Sequence, residues 1–291
     1  MGTRCLNKSF TSIIQDPKVR AFFLHKDNTA LRNTFTSLVN HPDHNSKSRE
    51  SLARAFNSLI IAPNGRAFFL NSESFQKTFS SLANHSDLSS YERQYLAQIF
   101  AILIKDSDGI TFFRDSESFQ KTFSSLANHP NHNPDGRECL AQAFVHLIKH
   151  EKFSFFFMNN ELLKKDFIKL VNCDDHTLKG ISNIALVFNH IASRALGRYN
   201  LRTSIPLRDA FIKFANQNNL TNHGRAYMAA AINWVIDNRE DVNKMFSNEY
   251  GLSDTLSRLI NHPDNTDEIK KHIQVEKSKA SDYFNPACIV S

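Results

Sequence analysis

Residues 72–85 read Ser-Glu-Ser-Phe-Gln-Lys-Thr-Phe-Ser-Ser-Leu-Ala-Asn-His, and residues 116–129 repeat these fourteen letters without change. The two copies are 44 residues apart. Such identity indicates an internal repeat, and a repeat of this length decides the architecture of a chain. The same period places asparagines in register at Asn40, Asn84, Asn128, Asn172 and Asn216, with Asn261 following after one extra residue. The repeat therefore extends over nearly all of the 291 residues.

Apolar residues inside each period follow helical spacing, at i, i+1, i+4, i+7 and i+8 of its last helix. Two of these sets are Leu52, Ala53, Phe56, Leu59 and Ile60, and then Leu96, Ala97, Phe100, Leu103 and Ile104. A second helix precedes this long one, and a Phe-Phe segment opened by Gly65 or Gly109 has room for one or two further turns. Each repeat is thus predicted to contain a short helix, a second helix and a long helix.

Alanine recurs at one position of the long helix in five repeats. Because a column of small side chains lets helices approach closely, we expect neighbouring long helices to touch there. A leucine in this column should overpack the stack. The column consists of Ala53, Ala97, Ala141, Ala185 and Ala229.

Three helices in 44 residues resemble the armadillo repeat over about residues 6–275. HEAT-like packing, with two helices per repeat, is the nearest alternative. The resemblance implies an all-α, right-handed α-α superhelix of about five three-helix repeats with terminal caps, in which the long helices line a groove. We expect residues 1–275 to form this domain and residues 276–287 to form a flexible tail.

The composition favours a protein of the cytosol. Four cysteines lie far apart, without a secretory leader or the paired spacing of disulfide-rich domains. No apolar run reaches the roughly 18 residues that span a bilayer. The net charge of +6 comes from basic residues spread along the chain, so no nucleic-acid partner is expected.

The last four residues, Cys288-Ile289-Val290-Ser291, resemble a CaaX prenylation box. A terminal serine usually directs farnesyl transfer, so we predict a farnesyl group on Cys288, added by a protein prenyltransferase. No other cofactor and no metal is expected. One lipid chain gives only marginal membrane residence, and the lysines of residues 267–282 are matched by as many acidic residues. The sequence therefore predicts reversible attachment to the cytosolic face of a membrane.

Histidines and arginines recur at the turns before the long helices. Histidines occur in the turns that contain His41, His129 and His262, but other repeats hold Cys173 or Gln217 at the same position, so turn formation is favoured over metal binding. An arginine column near the start of the long helix fits either binding of an acidic peptide or pairing with the next repeat, and the second reading is favoured. This column contains Arg49, Arg93, Arg137 and Arg225, with Ile181 interrupting it.

Polar residues on the outward face of the long helices are the candidate partner-binding groove. In armadillo proteins such ladders hold the main chain of extended peptides, and Asn233 followed by Trp234 is similar to that pairing. Trp234, the only tryptophan, also suits the core. The candidate residues are Arg54, Asn57, Gln98, Gln142, His146, Asn189, Asn233 and Trp234.

Motifs of common enzyme classes do not occur in the sequence, which lacks a P-loop, a dinucleotide fingerprint, HExxH and GxSxG. We therefore expect a membrane-tethered, non-enzymatic scaffold that binds a protein partner in its groove. Two alternatives remain open. The armadillo resemblance also implies a regulator of small GTPases. The richness in Asn, Lys and Phe fits either a protist or an intracellular bacterium, and in the second case the chain would be an effector that uses the prenyltransferase of its host.

Overall fold

The computed structural model describes residues 9–25, 28–41, 44–62, 64–236, 250–267 and 270–271. Within these stretches the regular secondary structure is α-helical, and no strand occurs. Contacts divide the chain into two compact units, unit 1 (Met1–His146) and unit 2 (Leu147–Ser291). The predicted all-α repeat fold is confirmed.

The helices follow the predicted order of short, second and long helix. The first repeat contains α1 (Pro17–Leu24), α2 (Thr29–Val39) and α3 (Ser46–Ile61). The second contains α4 (Gly65–Leu70), α5 (Glu73–Ala83) and α6 (Ser90–Leu103). The third contains α7 (Ser107–Asp115), α8 (Glu117–Ala127) and α9 (Pro134–Lys149). The fourth contains α10 (Glu151–Asn159), α11 (Glu161–Val171) and α12 (Leu178–Ala192). The fifth contains α13 (Ala195–Thr203), α14 (Ile205–Ala215) and α15 (Asn222–Ile236), and α16 (Leu252–Ile260) follows.

One column of side chains fixes where every long helix begins. In each repeat a side-chain oxygen accepts a hydrogen bond from the backbone N–H three residues later, at 2.8 to 3.3 Å. Such a bond satisfies one of the free donors of a helix start and stabilises the helix by about 1 kcal/mol. The capping residues are 44 apart, and they are Asn45, Ser89, Asn133, Thr177 and Thr221.

The alanine column lies in the core, as predicted. All five side chains have no exposed surface. Within unit 1, α3 packs along α6, and within unit 2, α12 packs along α15. Each of these long-helix pairs contains two members of the column, which supports its interpretation as the point of closest approach.

Phenylalanines of the long helices join one repeat to the next. Phe100 of α6 lies 5.3 Å from Phe79 in its own repeat and 4.6 Å from Phe119 in the following one, measured between ring centroids. Phe188 of α12 repeats this arrangement in unit 2, at 5.2 Å from Phe167 and 5.3 Å from Phe211. Rings at these separations are in favourable edge or tilted contact, so the aromatic core is continuous between successive repeats of a unit.

Glycine is required where α4 and α7 leave the preceding long helices. A Cβ atom on Gly109 would lie 1.6 Å from the carbonyl oxygen of Leu103, and one on Gly65 would lie 1.8 Å from that of Leu59. Both atoms are backbone, so neither can move aside without shifting a helix. The sequence-based assignment of these glycines as the openings of the short helices is consistent with this contact.

We predict that Ala185→Leu destabilises the protein by about 1–3 kcal/mol, because the larger side chain must separate α12 from α15. The matched control is Ala195→Leu, since Ala195 is exposed at the start of α13 in the same unit. Urea unfolding followed by circular dichroism gives both free energies. An equal effect of the two substitutions would contradict close packing at the alanine column.

Candidate interaction surface on the long helices

The candidate groove residues of α3 and α6 contact each other. Arg54 is exposed, whereas Asn57 is buried. The side-chain amide of Asn57 donates a hydrogen bond to Gln98 Oε1 at 3.0 Å. In this part of unit 1 the polar ladder therefore connects neighbouring long helices and leaves Arg54 as its open member.

Gln142 and His146 are one turn apart on α9, and both are partly buried. Their Nε2 atoms lie 3.1 Å apart, so a neutral His146 can accept a hydrogen bond from the Gln142 amide. These two predicted groove residues are thus brought together. The two side chains therefore form a polar surface in unit 1 in which they already interact with each other.

The asparagines on the long helices of unit 2 differ from the Gln142–His146 pair, because each has a buried side-chain atom without a partner. Asn189 on α12 and Asn233 on α15 are 44 residues apart and occupy the same position of their helices. Asn189 Oδ1 and Asn233 Nδ2 are both buried, and neither has a hydrogen-bond partner in the structure described. Leaving a buried amide atom unpaired costs about 1–3 kcal/mol, so both positions are candidates for a hydrogen bond with a partner outside the chain.

Aromatic groups adjoin these amides. Trp234 follows Asn233 and is buried, with 8% of its surface exposed. His190 follows Asn189, and burial, with a smaller contribution from Arg194 and Lys149, lowers its pKa to about 4. The imidazole is therefore neutral at pH 7. Sequence reasoning did not select His190, although the 44-residue column through His146 and Trp234 contains it.

A cleft of about 410 Å³ opens on the same pair of helices, toward their amino-terminal ends. Leu178 at its edge is 72% exposed, more than any other large apolar side chain of the described residues. The cleft also contains Leu186 and Tyr227 beside the basic side chain of Lys179. Unpaired amides, a neutral imidazole and an apolar cleft on one helix pair are suited to holding an extended polypeptide.

The arginine column pairs with the following repeat. Arg49 donates to Glu92 Oε1 at 3.0 Å and to the carbonyl oxygen of Asp87 at 2.8 Å. Arg93 donates twice to the carbonyl oxygen of Asn131, at 2.8 and 3.2 Å. In unit 2, Arg225 donates to Asn265 Oδ1 at 2.7 Å. These buried contacts support the structural interpretation of the column over peptide binding.

The histidine loops form hydrogen-bonded turns. His129 Nδ1 accepts from the backbone N–H of Asn131 at 3.3 Å, and His262 Nδ1 accepts from that of Asp264 at the same distance. His132 is buried and lies 2.7 Å from the carbonyl oxygen of Leu126, to which its Nε2–H donates. Among the residues whose positions are described, no three His, Cys, Asp or Glu side chains are grouped as metal ligands would be.

Comparison with known proteins places the chain in a family. The model of the V-ATPase H-subunit family, for the amino-terminal domain, matches residues 6–262. The chain belongs to this family. The amino-terminal domains of V-ATPase H subunits are helical repeat structures, in agreement with the repeats above. A search of curated proteins gives no match.

A solved structure supports the fold alone. The chain resembles the crystal structure of an engineered protein, with a TM-score of 0.63 and 15% sequence identity over 86% of this chain and 98% of that one. The match to the V-ATPase H-subunit family ends before the carboxyl-terminal tail. Cys288 and residues 276–291 lie outside the described residues. None of the helices in the described part of the chain combines the length and the hydrophobicity that a transmembrane span requires.

The buried imidazole of His132 should make unit 1 sensitive to acid. Burial first, and then Arg93, Arg137 and His129, lower the His132 pKa to about 4 from its usual 6.5. Between these values the unfolded chain binds a proton that the folded chain does not, so stability falls as the pH falls from about 6.5 to 4. We predict that His132→Gln reduces the loss of stability between pH 7 and 5 by on the order of 2 kcal/mol, measured by urea unfolding, while buried His190, whose pKa is also about 4, leaves a further loss in both proteins. Equal losses in both proteins would contradict this assignment.

The unpaired amide of Asn233 predicts an unusual response to substitution. Asn233→Leu removes a buried amide nitrogen that lacks a partner, so stability should stay equal or rise. The control is Asn265→Leu, because the Asn265 amide donates to the carbonyl oxygens of Leu259 and Ile260 and accepts from Arg225. That change should cost about 1–3 kcal/mol. If Asn233→Leu costs as much in thermal unfolding, Asn233 has a structural partner and is not a binding residue.

Proposed function

We propose that this protein is a non-enzymatic interaction scaffold, whose α12–α15 face in unit 2 binds an extended segment of a partner protein. A farnesyl group on Cys288 attaches the complex to the cytosolic face of a membrane. The groove and the lipid have separate roles, since one selects the partner and the other sets the location. No bond of the partner is broken or formed.

The unpaired amides of Asn189 and Asn233 are the observation that carries the proposal. An extended main chain offers an N–H and a C=O at each residue, and an asparagine side chain matches both. Both Asn189 Oδ1 and Asn233 Nδ2 are buried in the free protein, so binding requires the two side chains to turn toward such groups. Binding would then offset the desolvation cost of the free protein, which favours a peptide over an apolar ligand.

Membership of the V-ATPase H-subunit family supports a role in a larger assembly, because the family is named for one component of such an assembly. A helical repeat domain of this family is a protein-interaction structure in which no catalytic role is implied. V-ATPase itself is accordingly a candidate partner. Regulation of a small GTPase and use of a host prenyltransferase by a bacterial effector remain predictions from the sequence.

The groove is tested by affinity purification of the tagged chain from eukaryotic cells, followed by identification of the bound proteins. Asn189→Ala with Asn233→Ala should reduce specific partners roughly tenfold or more, as expected for the loss of two buried hydrogen bonds. Asn218→Ala, at an exposed loop position of unit 2, is the matched control. Unchanged partners in the double variant, with the fold intact by circular dichroism, would exclude the groove.

Lipid attachment is tested separately by intact mass. Protein from eukaryotic cells should carry a farnesyl group and lack the last three residues, whereas Cys288→Ser should carry neither change. Cell fractionation should then find the wild type partly with membranes and the variant in the soluble fraction. An unmodified wild-type mass would overturn the membrane half of the proposal and leave the groove untouched.

A further inference from the structure

Unit 2 exposes large apolar side chains along its short and second helices. Phe155 on α10 and Tyr199 on α13 have 66% and 55% of their surface exposed. Leu162 and Ile205, in the first turns of α11 and α14, are 39% and 59% exposed. Because α10 packs on α13 and α11 packs on α14, the two repeats carry these pairs side by side. We refer to the four residues as the apolar stripe.

The other repeats show that the fold does not need this stripe. At the position of Phe155 and Tyr199, the first three repeats have small side chains: Ala21, Ala67 and Thr111. At the position of Leu162 they have Ala30, Ser74 and Ser118. At the position of Ile205 the second and third repeats have Glu73 and Glu117. Since the same helices form with polar or small residues, the exposed aromatic and aliphatic groups are available for contact with something outside the chain.

The surroundings of the stripe are basic. Between residues 147 and 215 the sequence has eleven Lys and Arg against six Asp and Glu. Lys152 on α10 and Lys165 and Lys169 on α11 are exposed beside the stripe. Two of the nearby acids are paired within the chain, since Glu161 lies 2.6 Å from Lys164 and Asp209 lies 3.5 Å from Arg208. Glu151, at the start of α10, is the remaining exposed acid among these helices.

We propose that the apolar stripe, with Lys152, Lys165 and Lys169, docks unit 2 on an anionic lipid surface. Single aromatic and aliphatic side chains that protrude from helix turns can enter the headgroup region of a bilayer, where aromatic residues are favoured. Each nearby lysine adds to the attraction to anionic lipid. The excess of positive charge favours a lipid surface over an apolar protein surface as the occupant.

This inference rests on the proposed membrane location and supplies what that proposal lacks. One farnesyl chain gives only marginal residence, and a second signal is needed for stable attachment. The charges of residues 267–282 cancel, so this stretch offers no attraction of its own. The stripe and its lysines provide the missing contribution through the folded domain.

The experiment uses full-length chain from bacteria that lack a prenyltransferase, so the result does not depend on Cys288. The chain is sedimented with vesicles of phosphatidylcholine alone or with added phosphatidylserine. We expect binding to the anionic vesicles that weakens as salt is raised, with little binding to the neutral ones. A variant with Phe155→Thr, Tyr199→Thr and Leu162→Ser introduces residue types that unit 1 has at these positions, and its partitioning should be roughly tenfold weaker.

Two further variants make the outcome specific. Lys152→Gln with Lys165→Gln and Lys169→Gln should remove the preference for anionic vesicles. Leu178→Ser removes an exposed leucine from the edge of the cleft on α12 and α15, away from the apolar stripe. This variant should bind vesicles as the wild type does. The proposal is overturned if the wild type fails to bind anionic vesicles, which would assign the stripe to a protein partner. It is also overturned if the stripe variant, folded by circular dichroism, binds like the wild type.

Discussion

The contact on which the structure depends is made by a phenylalanine of a long helix with the rings of two repeats. Phe100 shows the arrangement in unit 1 and Phe188 shows it in unit 2, with ring centroids between 4.6 and 5.3 Å apart on both sides. A repeat of 44 residues cannot bury its own apolar face. Its neighbour must cover it, and the phenylalanine is the side chain that both repeats share. The alanine column permits this because it lets the long helices approach closely enough for the rings to meet.

The period made most of the fold predictable. Helix order, the alanine column, the glycines that open the short helices and the turns that contain histidine all follow from residues that recur 44 positions apart. Recurrence indicates what every repeat needs, which is packing and capping. Residues that differ between repeats are the candidates for function. The sequence shows which residue differs, but it does not show which side chains surround that residue in the fold. Asn57 and Asn233 occupy one column, yet the amide nitrogen of Asn57 donates to Gln98, with its Oδ1 left unpaired, whereas the amide nitrogen of Asn233 has no partner. Whether such an asparagine finds a hydrogen-bond partner depends on the residues of the neighbouring helix.

The sequence alone did not predict the apolar stripe, for a related reason. The segment of α10 is rich in phenylalanine, and helical spacing alone does not tell which rings are buried when nearly all positions are apolar. Phe153 and Phe157 enter the core, whereas Phe155 remains outside it. Comparison of Phe155 with Thr111 in the preceding repeat is the signal that could have found it. The two surfaces of unit 2 differ in character, because the groove offers unpaired amides and the stripe offers apolar side chains with lysines.

The most direct test of this packing is removal of one complete repeat. Deletion of residues 73–116 joins Ser72 to Glu117 and leaves the local sequence unchanged, because both copies continue identically. Arg49 would then meet the loop that contains Asn131, which already accepts from Arg93. If stability comes from contacts between neighbouring repeats, the shortened chain will unfold cooperatively with the same ellipticity per residue at 222 nm. Loss of helical signal or of a cooperative transition would contradict the shared phenylalanine as the basis of the fold.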